Sequence, residues 1–382
     1  MAENTVIVVD SGIPWSETAF SPYGDVRLMA PSTMNPASLR HADILIVRSV
    51  VKIGKELLNA TSVRFIGSAT AGTDHVDQKY LKDAGIGFES ASGANADSVA
   101  DYVTATLLLL SERKALGLSG LKLGVIGCGE VGTRVARRAS ALGMHILRCD
   151  PPRQKDEGGD YVSLAQVMAD ADVVSLHVPL THQGTDSTFH MLDSVRMADF
   201  SGWLINTSRG PVVDTEALLE LRRGGLGPTA IALDVWEGEP RPSEALVSAA
   251  DIATPHIAGY ADDSKWNATQ RMSLAIAGFL GRPAAASLER LPDVRIAAPF
   301  DRASTEFPGQ LEFLGELALA MCPIQRDDVA LRGFLREADP GVAFARYRSN
   351  YPGHRLMRSH TVTGVSERWR SLVQDALGAR LG

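Results

Sequence analysis

The sequence predicts an α/β protein built from two successive series of parallel βα units. From residue 5 to about 91, the short apolar runs TVIVVD, ADILIVRS, VRFIGSA and IGFES alternate with helix-like stretches. A second, doubly wound series begins with LKLGVIG and repeats as MHILRCD, DVVSLHVP, GWLINTS and TAIALDVW. Between the two series, Val99, Val103, Leu107 and Leu110 form one apolar face and predict a helix over about 96–113.

Three further segments follow the second series. The strand-like DIATPHIA precedes a helix that Asp262 or Asp263 can cap and that runs to about Phe279. The stretch PAAASLERLPDVRIAAP is rich in Pro and Ala, has weak periodicity and predicts a linker. A third unit is expected from about 300 to 382, which agrees with a 382-residue chain of two or three domains.

Composition and charge argue against several classes of protein. The net charge of -7, without a run of five basic residues, argues against nucleic-acid binding. No apolar run approaches the ~18 residues needed to cross a bilayer, and the N-terminus lacks a signal-peptide pattern, so we expect a cytoplasmic protein without a membrane partner. Cys128, Cys149 and Cys322 are too scattered for a disulfide framework or a metal cluster, so we expect reduced thiols and no metal.

A glycine-rich turn follows the first strand of the second series. Gly127, Gly129 and Gly132 form G-x-G-x-x-G before a helix-forming stretch, the arrangement that lets pyrophosphate approach the backbone at a helix N-terminus. Asp150 ends the next strand 18 residues after Gly132, near the ~20-residue spacing of a carboxylate that binds ribose hydroxyls. Because Asp150 would repel a 2′-phosphate, we predict NAD rather than NADP. The alternative is a purely structural turn from strand to helix.

Polar residues at the ends of later strands indicate a site for hydride transfer. Arg209 in INTSRG, Glu239 in DVWEGEP and His256 in ATPHIAGY lie at or just past strand ends, where open α/β sheets bind ligands. Histidine is the side chain best suited to proton exchange at neutral pH, so His256 can take up or return the proton of a 2-hydroxy acid as it becomes a 2-oxo acid. Glu239 can orient the imidazole, and Arg209 can bind the substrate carboxylate with its planar fork. Asp234 can hold the nicotinamide carboxamide.

Each candidate taken singly also has a structural interpretation. His177 and, more weakly, His75 compete with His256 for the role of proton acceptor, since each lies near the end of a predicted strand. Glu237 competes with Glu239, and either one can be an exposed carboxylate in a turn. The shared order and strand-end placement favour the catalytic set.

The chain resembles the D-isomer-specific 2-hydroxyacid dehydrogenase family over about residues 40–282. The matching stretches are VRSV, ATAGTDHVD, DYV, CDPPR, NTSRGPVVD, ALDVWEGEP and PHIAGY. The resemblance implies a flavodoxin-like substrate domain, 1–95 and 259–284, into which an NAD-binding Rossmann domain, 96–258, is inserted. It also implies a C-terminal α+β dimerisation domain, 290–382, and hence a homodimer; FARYRSNYP is similar to a C-terminal segment found within the family.

The resemblance also implies a role for each site residue. Arg209, Glu239 and His256 become the catalytic set, with His256 as the acid/base. The other implied positions are Gly127, Gly129, Val131, Gly132, Asp150, Val178, Asp234 and Gly259 for NAD, and Arg48, Ser49, Thr70 and Tyr260 for substrate. The chain departs from the family's usual sequence at two places: Val178 replaces a threonine, and SGAN at 92–95 replaces PGCN.

The resemblance further implies that the substrate is a small phosphorylated 2-hydroxy acid. Its phosphate needs positive groups, which Arg48 or the third unit's Arg346, Arg348 or Arg355 can supply. Two other functions fit the motifs: a D-2-hydroxyacid dehydrogenase of the 3-phosphoglycerate or hydroxypyruvate-reducing type, and a non-catalytic binding protein that senses NAD. Tyr260 and the third unit argue against the first, and the complete catalytic set argues against the second.

Overall fold

The computed structural model describes residues 5–298 and 310–382, and the chain divides into two compact units. The first unit comprises Met1–Asn95 and Asp262–Pro292, and the second comprises Ala96–Ala261 and Asp293–Gly382. Residues 1–4 of the predicted substrate domain and 299–309 of the predicted C-terminal domain lie outside the described residues. The C-terminal segment groups with the second unit, and its role as a separate dimerisation domain stays a prediction.

The first unit contains one parallel sheet with the predicted flavodoxin-like arrangement. Its elements are β1 (Val6–Asp10), α1 (Ser16–Phe20), β2 (Asp25–Met29), β3 (Ile44–Val47), α2 (Lys55–Leu58), β4 (Phe65–Ser68), α3 (Gln78–Asp83), β5 (Gly87–Ser90) and α11 (Asp262–Leu280). The strand order β2-β1-β3-β4-β5 is that of flavodoxin-like sheets. The helix α11 returns late in the chain, and its Met272 and Ile276 share a core with Ile46 of β3.

The second unit contains a larger parallel sheet with the predicted doubly wound pattern. Its elements up to residue 261 are α4 (Ala96–Lys114), β6 (Lys122–Ile126), α5 (Glu130–Ala141), β7 (His145–Cys149), α6 (Pro151–Glu157), α7 (Leu164–Asp170), β8 (Val173–Leu176), α8 (Ser194–Ala198), β9 (Trp203–Asn206), α9 (Thr215–Arg223), β10 (Ala230–Leu233), α10 (Glu244–Ala249) and β11 (Ile252–Ala253). The strand order is β11-β10-β9-β8-β6-β7. β7 lies on one side of β6 in the sheet, and β8 lies on the other side. The connections after β6 and β8 therefore run in opposite directions, which creates a crevice at this switch point.

The C-terminal part of the second unit adds helices and a small parallel sheet. Its elements are β12 (Val294–Ala297), α12 (Gln310–Met321), α13 (Ile324–Phe334), α14 (Pro340–Ser349), β13 (His360–Thr363), α15 (Arg370–Asp375) and β14 (Arg380–Leu381). The prediction of a linker over PAAASLERLPDVRIAAP was wrong for its last part, because β12 pairs in register with β13. The pairing partner lies far along the chain, so local composition does not reveal it.

The helix predicted over 96–113 is confirmed as α4, but it is buried on more sides than the predicted apolar face. Leu314 and Leu317 of α12 belong to the same core as Leu107 and Leu110 of α4, so the C-terminal segment covers a second side. None of the helices in the described ranges has the length and apolar character needed to cross a membrane.

Candidate active site

The glycine-rich turn lies at the switch point between β6 and β8. Gly127 has a φ of +89°, and a Cβ there would meet the His177 carbonyl oxygen and Val178 Cγ1. At Gly132 a Cβ would collide with the Gly127 carbonyl, so glycine lets α5 begin directly against β6. At Gly129, by contrast, a Cβ would have no heavy atom of the described residues within 4 Å. The backbone is therefore open to a ligand at this point.

Asp150 connects the end of β7 to this turn. Its Oδ2 accepts a hydrogen bond of 2.8 Å from the backbone N–H of Cys128, and its Oδ1 caps α6 by accepting from the Arg153 N–H at 3.1 Å. The Arg153 guanidinium in turn donates to the Cys128 carbonyl. A carboxylate offers about four acceptor positions. Asp150 thus shapes the turn and still has acceptor capacity for ribose hydroxyls.

These features fit a dinucleotide. Gly129 occupies the N-cap position of α5, and no side chain of the described residues caps it, so the amides of the first turn can donate to an anion. Val131 lies in that first turn and packs against the core of the unit. Val178 contributes an apolar side chain beside Gly127, where the family's usual threonine would bring a hydroxyl.

His256 and Glu239 form a hydrogen-bonded pair past the ends of β11 and β10. His256 Nδ1 lies 2.7 Å from Glu239 Oε2, while Glu239 Oε1 accepts from the Trp236 backbone N–H at 2.8 Å. Burial alone would raise the pKa of Glu239, but the nearby charges of His256 and Arg348 and its hydrogen bonds lower it below its usual value. Glu239 is therefore an ionised carboxylate that holds the imidazole by one nitrogen. The other, Nε2, has no hydrogen-bond partner among the described residues.

The loop that carries His256 is held on two sides by buried polar groups. His256 adopts a φ of +56°, an uncommon conformation for a residue other than glycine. Asp234 accepts from the next two backbone amides, Ile257 N–H at 2.8 Å and Ala258 N–H at 2.9 Å. Ser98 of α4 donates to the Ala258 carbonyl at 2.6 Å. The loop is thus rigidly placed, and a role of Asp234 towards nicotinamide stays a prediction.

Asp234 is also linked to the buried interior of the unit. Its Oδ1 accepts a 2.7 Å hydrogen bond from Thr254 Oγ1, whose oxygen lies 2.7 Å from Tyr102 OH. Burial raises the pKa of Asp234, although the charge of His256 and these hydrogen bonds oppose that effect. Sequence reasoning did not identify Ser98, Thr254 or Tyr102, since their contacts join segments far apart in the chain.

Arg209 is carried by a tight turn after β9. Asn206 shapes this turn, because its Oδ1 accepts from the Ser208 N–H at 3.0 Å and its Nδ2 donates to the Arg209 carbonyl at 2.9 Å. The next residue, Gly210, packs directly on the backbone of Trp236 and Glu237. The loop of Arg209 therefore lies against the loop of Glu239, and the structure brings these two predicted residues to one region.

The competing residues have other partners. Burial lowers the pKa of His177 to about 3, and its ring nitrogens lie 2.9 Å from Ser175 Oγ and 3.4 Å from Thr207 Oγ1, so it is neutral at physiological pH. Glu237 Oε1 lies 2.9 Å from Nε2 of His190, which leaves Glu239 as the carboxylate on His256. This second histidine–carboxylate pair was not predicted from the sequence.

Tyr260, four residues after His256, is covered by residues of the C-terminal segment. The guanidinium carbon of Arg348, on α14, lies 5.3 Å from the centre of the Tyr260 ring. Tyr351 packs edge-on against the same ring, with 5.7 Å between centroids. The preceding residue, Gly259, leads from the held loop into Tyr260 and is half-buried. A residue predicted to contact substrate thus lies beside a cation of the third predicted unit.

The remaining predicted substrate residues belong to the first unit. Ser49 is exposed just past β3, in a surface pocket also lined by Lys52 and His75. Thr70, just past β4, lies 2.8 Å from Ser68 Oγ and donates to the Gly72 carbonyl at 3.1 Å. His75 Nε2 lies 3.1 Å from the same Ser68 hydroxyl.

Arg48 also lies at the end of β3, but much of its guanidinium is used within the unit. Nε and one terminal nitrogen donate to the two carboxylate oxygens of buried Asp10, at 2.8 and 2.9 Å. A charge already neutralised by a carboxylate attracts an anionic ligand less strongly than a free one.

Comparison with known proteins supports an assignment to a family. Residues 53–258 match the family described as D-isomer specific 2-hydroxyacid dehydrogenase, NAD binding domain. Erythronate-4-phosphate dehydrogenase of Salinibacter ruber is 44% identical over 94% of this chain and 94% of its own length. The protein of the same name from Pseudomonas putida is 40% identical over 98% of this chain and 99% of its own length.

Solved structures agree with this similarity. A D-lactate dehydrogenase from Aquifex aeolicus, in complex with NAD and lactic acid, matches with a TM-score of 0.60 and 28% identity over 72% of this chain and 96% of its own. An NAD-bound 3-phosphoglycerate dehydrogenase of Entamoeba histolytica matches with a TM-score of 0.62 over 75% of this chain and 99% of its own. At 24% identity, the latter supports the fold alone.

Proposed function

The chain belongs to the D-isomer-specific 2-hydroxyacid dehydrogenase family, and we propose that it oxidises 4-phospho-D-erythronate to (R)-3-hydroxy-2-oxo-4-phosphobutanoate with NAD. This reaction belongs to the biosynthesis of pyridoxal 5′-phosphate, vitamin B6. The substrate follows from relatives named erythronate-4-phosphate dehydrogenase that are 40 to 44% identical over nearly the whole chain. The 3-phosphoglycerate, hydroxypyruvate and NAD-sensor alternatives have no such support.

The observation that carries the chemistry is the pairing of Glu239 with His256 Nδ1. A histidine whose Nδ1 is held by a carboxylate presents its other nitrogen, Nε2, for proton exchange. A carboxylate 2.7 Å away also stabilises the imidazolium that forms once the proton has been taken up. The pair is therefore suited to act as general base in oxidation and as general acid in the reverse reaction.

Each remaining group has one task in this scheme. NAD, when bound, supplies the hydride acceptor. Gly129 and the N-terminus of α5 hold its pyrophosphate, and Asp150 holds a ribose. His256 takes the proton of the C2 hydroxyl through Nε2, while Glu239 keeps the ring oriented. Arg209 binds the substrate carboxylate with its planar fork and draws electron density from the oxygen at C2.

The activity is tested with purified protein and NAD, by following the absorbance of NADH with 4-phospho-D-erythronate as substrate. D-lactate, D-glycerate and D-3-phosphoglycerate serve as comparison substrates, and the 2-oxo product is supplied with NADH to measure the reverse direction. We expect the highest kcat/KM for 4-phospho-D-erythronate. Efficient turnover of an unphosphorylated acid, without turnover of 4-phospho-D-erythronate, would refute the proposal.

We further propose that the active form is a homodimer in the cytoplasm, assembled through the C-terminal segment. This part of the proposal rests on the similarity of FARYRSNYP to a C-terminal segment found within the family. Light scattering of the purified protein measures the mass in solution. A monomer at the concentrations of the activity assay would overturn this part of the proposal.

A further inference from the structure

Arg348 has an unusual environment for an arginine. Its guanidinium lies over the ring of Tyr260, at 5.3 Å, and over that of Phe344, at 5.8 Å. The residue as a whole is half-buried, but its Nε is buried and has no hydrogen-bond partner among the described residues. Within the same residues, Arg348 makes no ion pair with a carboxylate. A buried N–H without a hydrogen bond costs free energy. The guanidinium therefore has donors that the described part of the chain does not satisfy.

Two of the other arginines that could bind the phosphate, Arg346 and Arg48, are paired with carboxylates. Arg346, two residues earlier on α14, donates to both carboxylate oxygens of Glu337, at 2.9 and 2.7 Å. Arg48 donates to both oxygens of Asp10. Because these two cations are already paired, an added anion would have to displace a carboxylate. An anion that binds Arg348 would not have to displace a carboxylate of the described residues.

Arg348 lies near the candidate catalytic residues. Tyr260 follows His256 on the loop that Asp234 and Ser98 hold, so Arg348 rests on a rigid part of the site. Its positive charge also contributes to lowering the pKa of Glu239, which places it within electrostatic reach of the catalytic pair. Nε is buried, but stacking on the face of the Tyr260 ring leaves the two terminal nitrogens of the guanidinium, with their N–H donors, available to an anion.

We propose that Arg348 binds the phosphate of the substrate and so determines the preference for a phosphorylated over an unphosphorylated 2-hydroxy acid. This inference rests on the proposed function and adds the residue that recognises the phosphate. The guanidinium fork matches phosphate oxygens in a bidentate manner, and such charge-assisted hydrogen bonds are among the strongest that proteins make. Tyr260 acts here as the platform that orients the guanidinium.

The main test compares Arg348→Gln with Arg346→Gln, a control that removes the same charge from the same helix. For each protein, kcat and KM are measured with 4-phospho-D-erythronate and with D-erythronate. Arg348→Gln should lower kcat/KM for the phosphorylated acid by about 100-fold, mostly through KM, because a desolvated phosphate contact is lost. Because Arg348 also influences Glu239, the value for D-erythronate should fall somewhat, but much less than that for the phosphorylated acid. Both values for Arg346→Gln should stay close to those of the wild type.

Inorganic phosphate provides a second readout that does not depend on turnover of D-erythronate. It should compete with 4-phospho-D-erythronate in the wild type and in Arg346→Gln, and it should lose this effect in Arg348→Gln. Thermal unfolding checks that the variants fold. If Arg348→Gln does not fold, Arg348→Lys, which keeps the charge but not the planar fork, should raise KM for the phosphorylated acid alone.

Two outcomes would overturn the inference. Equal losses on both substrates would mean that Arg348 serves the Glu239–His256 pair or the fold, and unchanged kinetics would mean that another group binds the phosphate. Failure of the proposed function has a different signature, since the wild-type protein itself would then not oxidise 4-phospho-D-erythronate.

Discussion

Glu239 binds His256 through a 2.7 Å contact between Oε2 and Nδ1, while its second oxygen is held at 2.8 Å by the Trp236 backbone N–H. The carboxylate is thus fixed by the backbone of its own loop and fixes the imidazole in turn. Two residues earlier, Glu237 makes a comparable contact of 2.9 Å with His190. His190 also lies 3.5 Å from Asp214, so the carboxylate partners of His190 and of His256 are different residues of neighbouring loops.

Replacing Glu239 by Gln should abolish most of the activity. The amide can still contact Nδ1 but cannot stabilise the imidazolium, so we expect kcat to fall by about 100-fold or more. The measurement is the pH profile of kcat with saturating NAD and substrate. Glu237→Gln is the matched control and should keep most of its kcat. Comparable losses in the two variants would argue against a specific role for Glu239.

Glu239→Gln should also change how the free energy of unfolding depends on pH. The pKa of Glu239 is lower in the folded protein than its ordinary value of 4.5, so folded Glu239 releases its proton more readily than the unfolded chain does. Its contribution to stability is complete above that ordinary value and is lost as the pH falls through the lower, folded pKa. Denaturant unfolding between about pH 3 and pH 7 should show a smaller acid-induced loss in Glu239→Gln. Parallel curves for variant and wild type would contradict this.

Replacing His256 by Asn should separate turnover from cofactor binding. The proton acceptor is lost, so kcat should fall by a factor of about 100 to 10,000, while NAD affinity measured by fluorescence titration should persist. His177→Asn is the comparison, because burial lowers the pKa of His177 to about 3 and makes it a poor base at neutral pH. It should keep most of its kcat. The reverse ranking would make His177 the acid/base.

Two glycines of the cofactor turn should respond differently to alanine. A Cβ at Gly129 meets nothing within 4 Å in the described residues, so the free energy of unfolding of Gly129→Ala should change by less than about 1 kcal/mol. The variant should nevertheless bind NAD weakly, because the added methyl group occupies the position of the pyrophosphate. A Cβ at Gly132 collides with the Gly127 carbonyl, so Gly132→Ala should cost about 1 to 3 kcal/mol of stability. Denaturant unfolding and NAD titration of both variants measure these effects. Full NAD affinity in Gly129→Ala would refute the proposed pyrophosphate position.

Replacing Asp150 by Asn should weaken the preference for NAD over NADP. Asparagine has one acceptor oxygen and can keep only one of the two hydrogen bonds, to the Cys128 or to the Arg153 N–H, so affinity for both cofactors should fall. The charge that repels a 2′-phosphate is gone, so NADP should lose less than NAD. The ratio of kcat/KM for the two cofactors measures the effect. Asp156→Asn, an exposed position on α6, removes the same charge and should leave the ratio unchanged. A shift of equal size in both variants would indicate a general effect of net charge.

Much of the fold was predictable because apolar runs and glycine turns act locally. The runs that became β1, β3, β4, β6 and β8 to β10 are short, largely buried and bounded by turn residues, and the helix at 96–113 has one continuous apolar face. β5 and β7 are only partly buried, but they follow the same alternation with helices. β12 was mistaken for a linker, since its strand character depends on pairing with β13 more than sixty residues later. Such a partner has no local signal.

In the candidate site too, local features were predictable from the sequence and contacts between distant segments were not. Motif order and strand-end placement identified Arg209, Glu239 and His256, because the carboxyl ends of parallel strands share one edge of a sheet. The sequence favoured Glu239 over Glu237 and His256 over His177, but each choice depends on which side chains meet in space and how deeply each is buried. The tertiary contacts support the same choices.

The sequence by itself thus determined the fold class, the position of the cofactor turn and the set of groups available for hydride-transfer chemistry. These follow from periodicity and from residue types at strand ends, which are properties of neighbouring residues. Only the tertiary structure decided that Asp234 and Ser98 hold the His256 loop, and that Arg346 is paired while Arg348 lies on Tyr260. Hydrogen bonds and desolvation depend on contacts between distant segments, and those contacts exist only after the chain has folded.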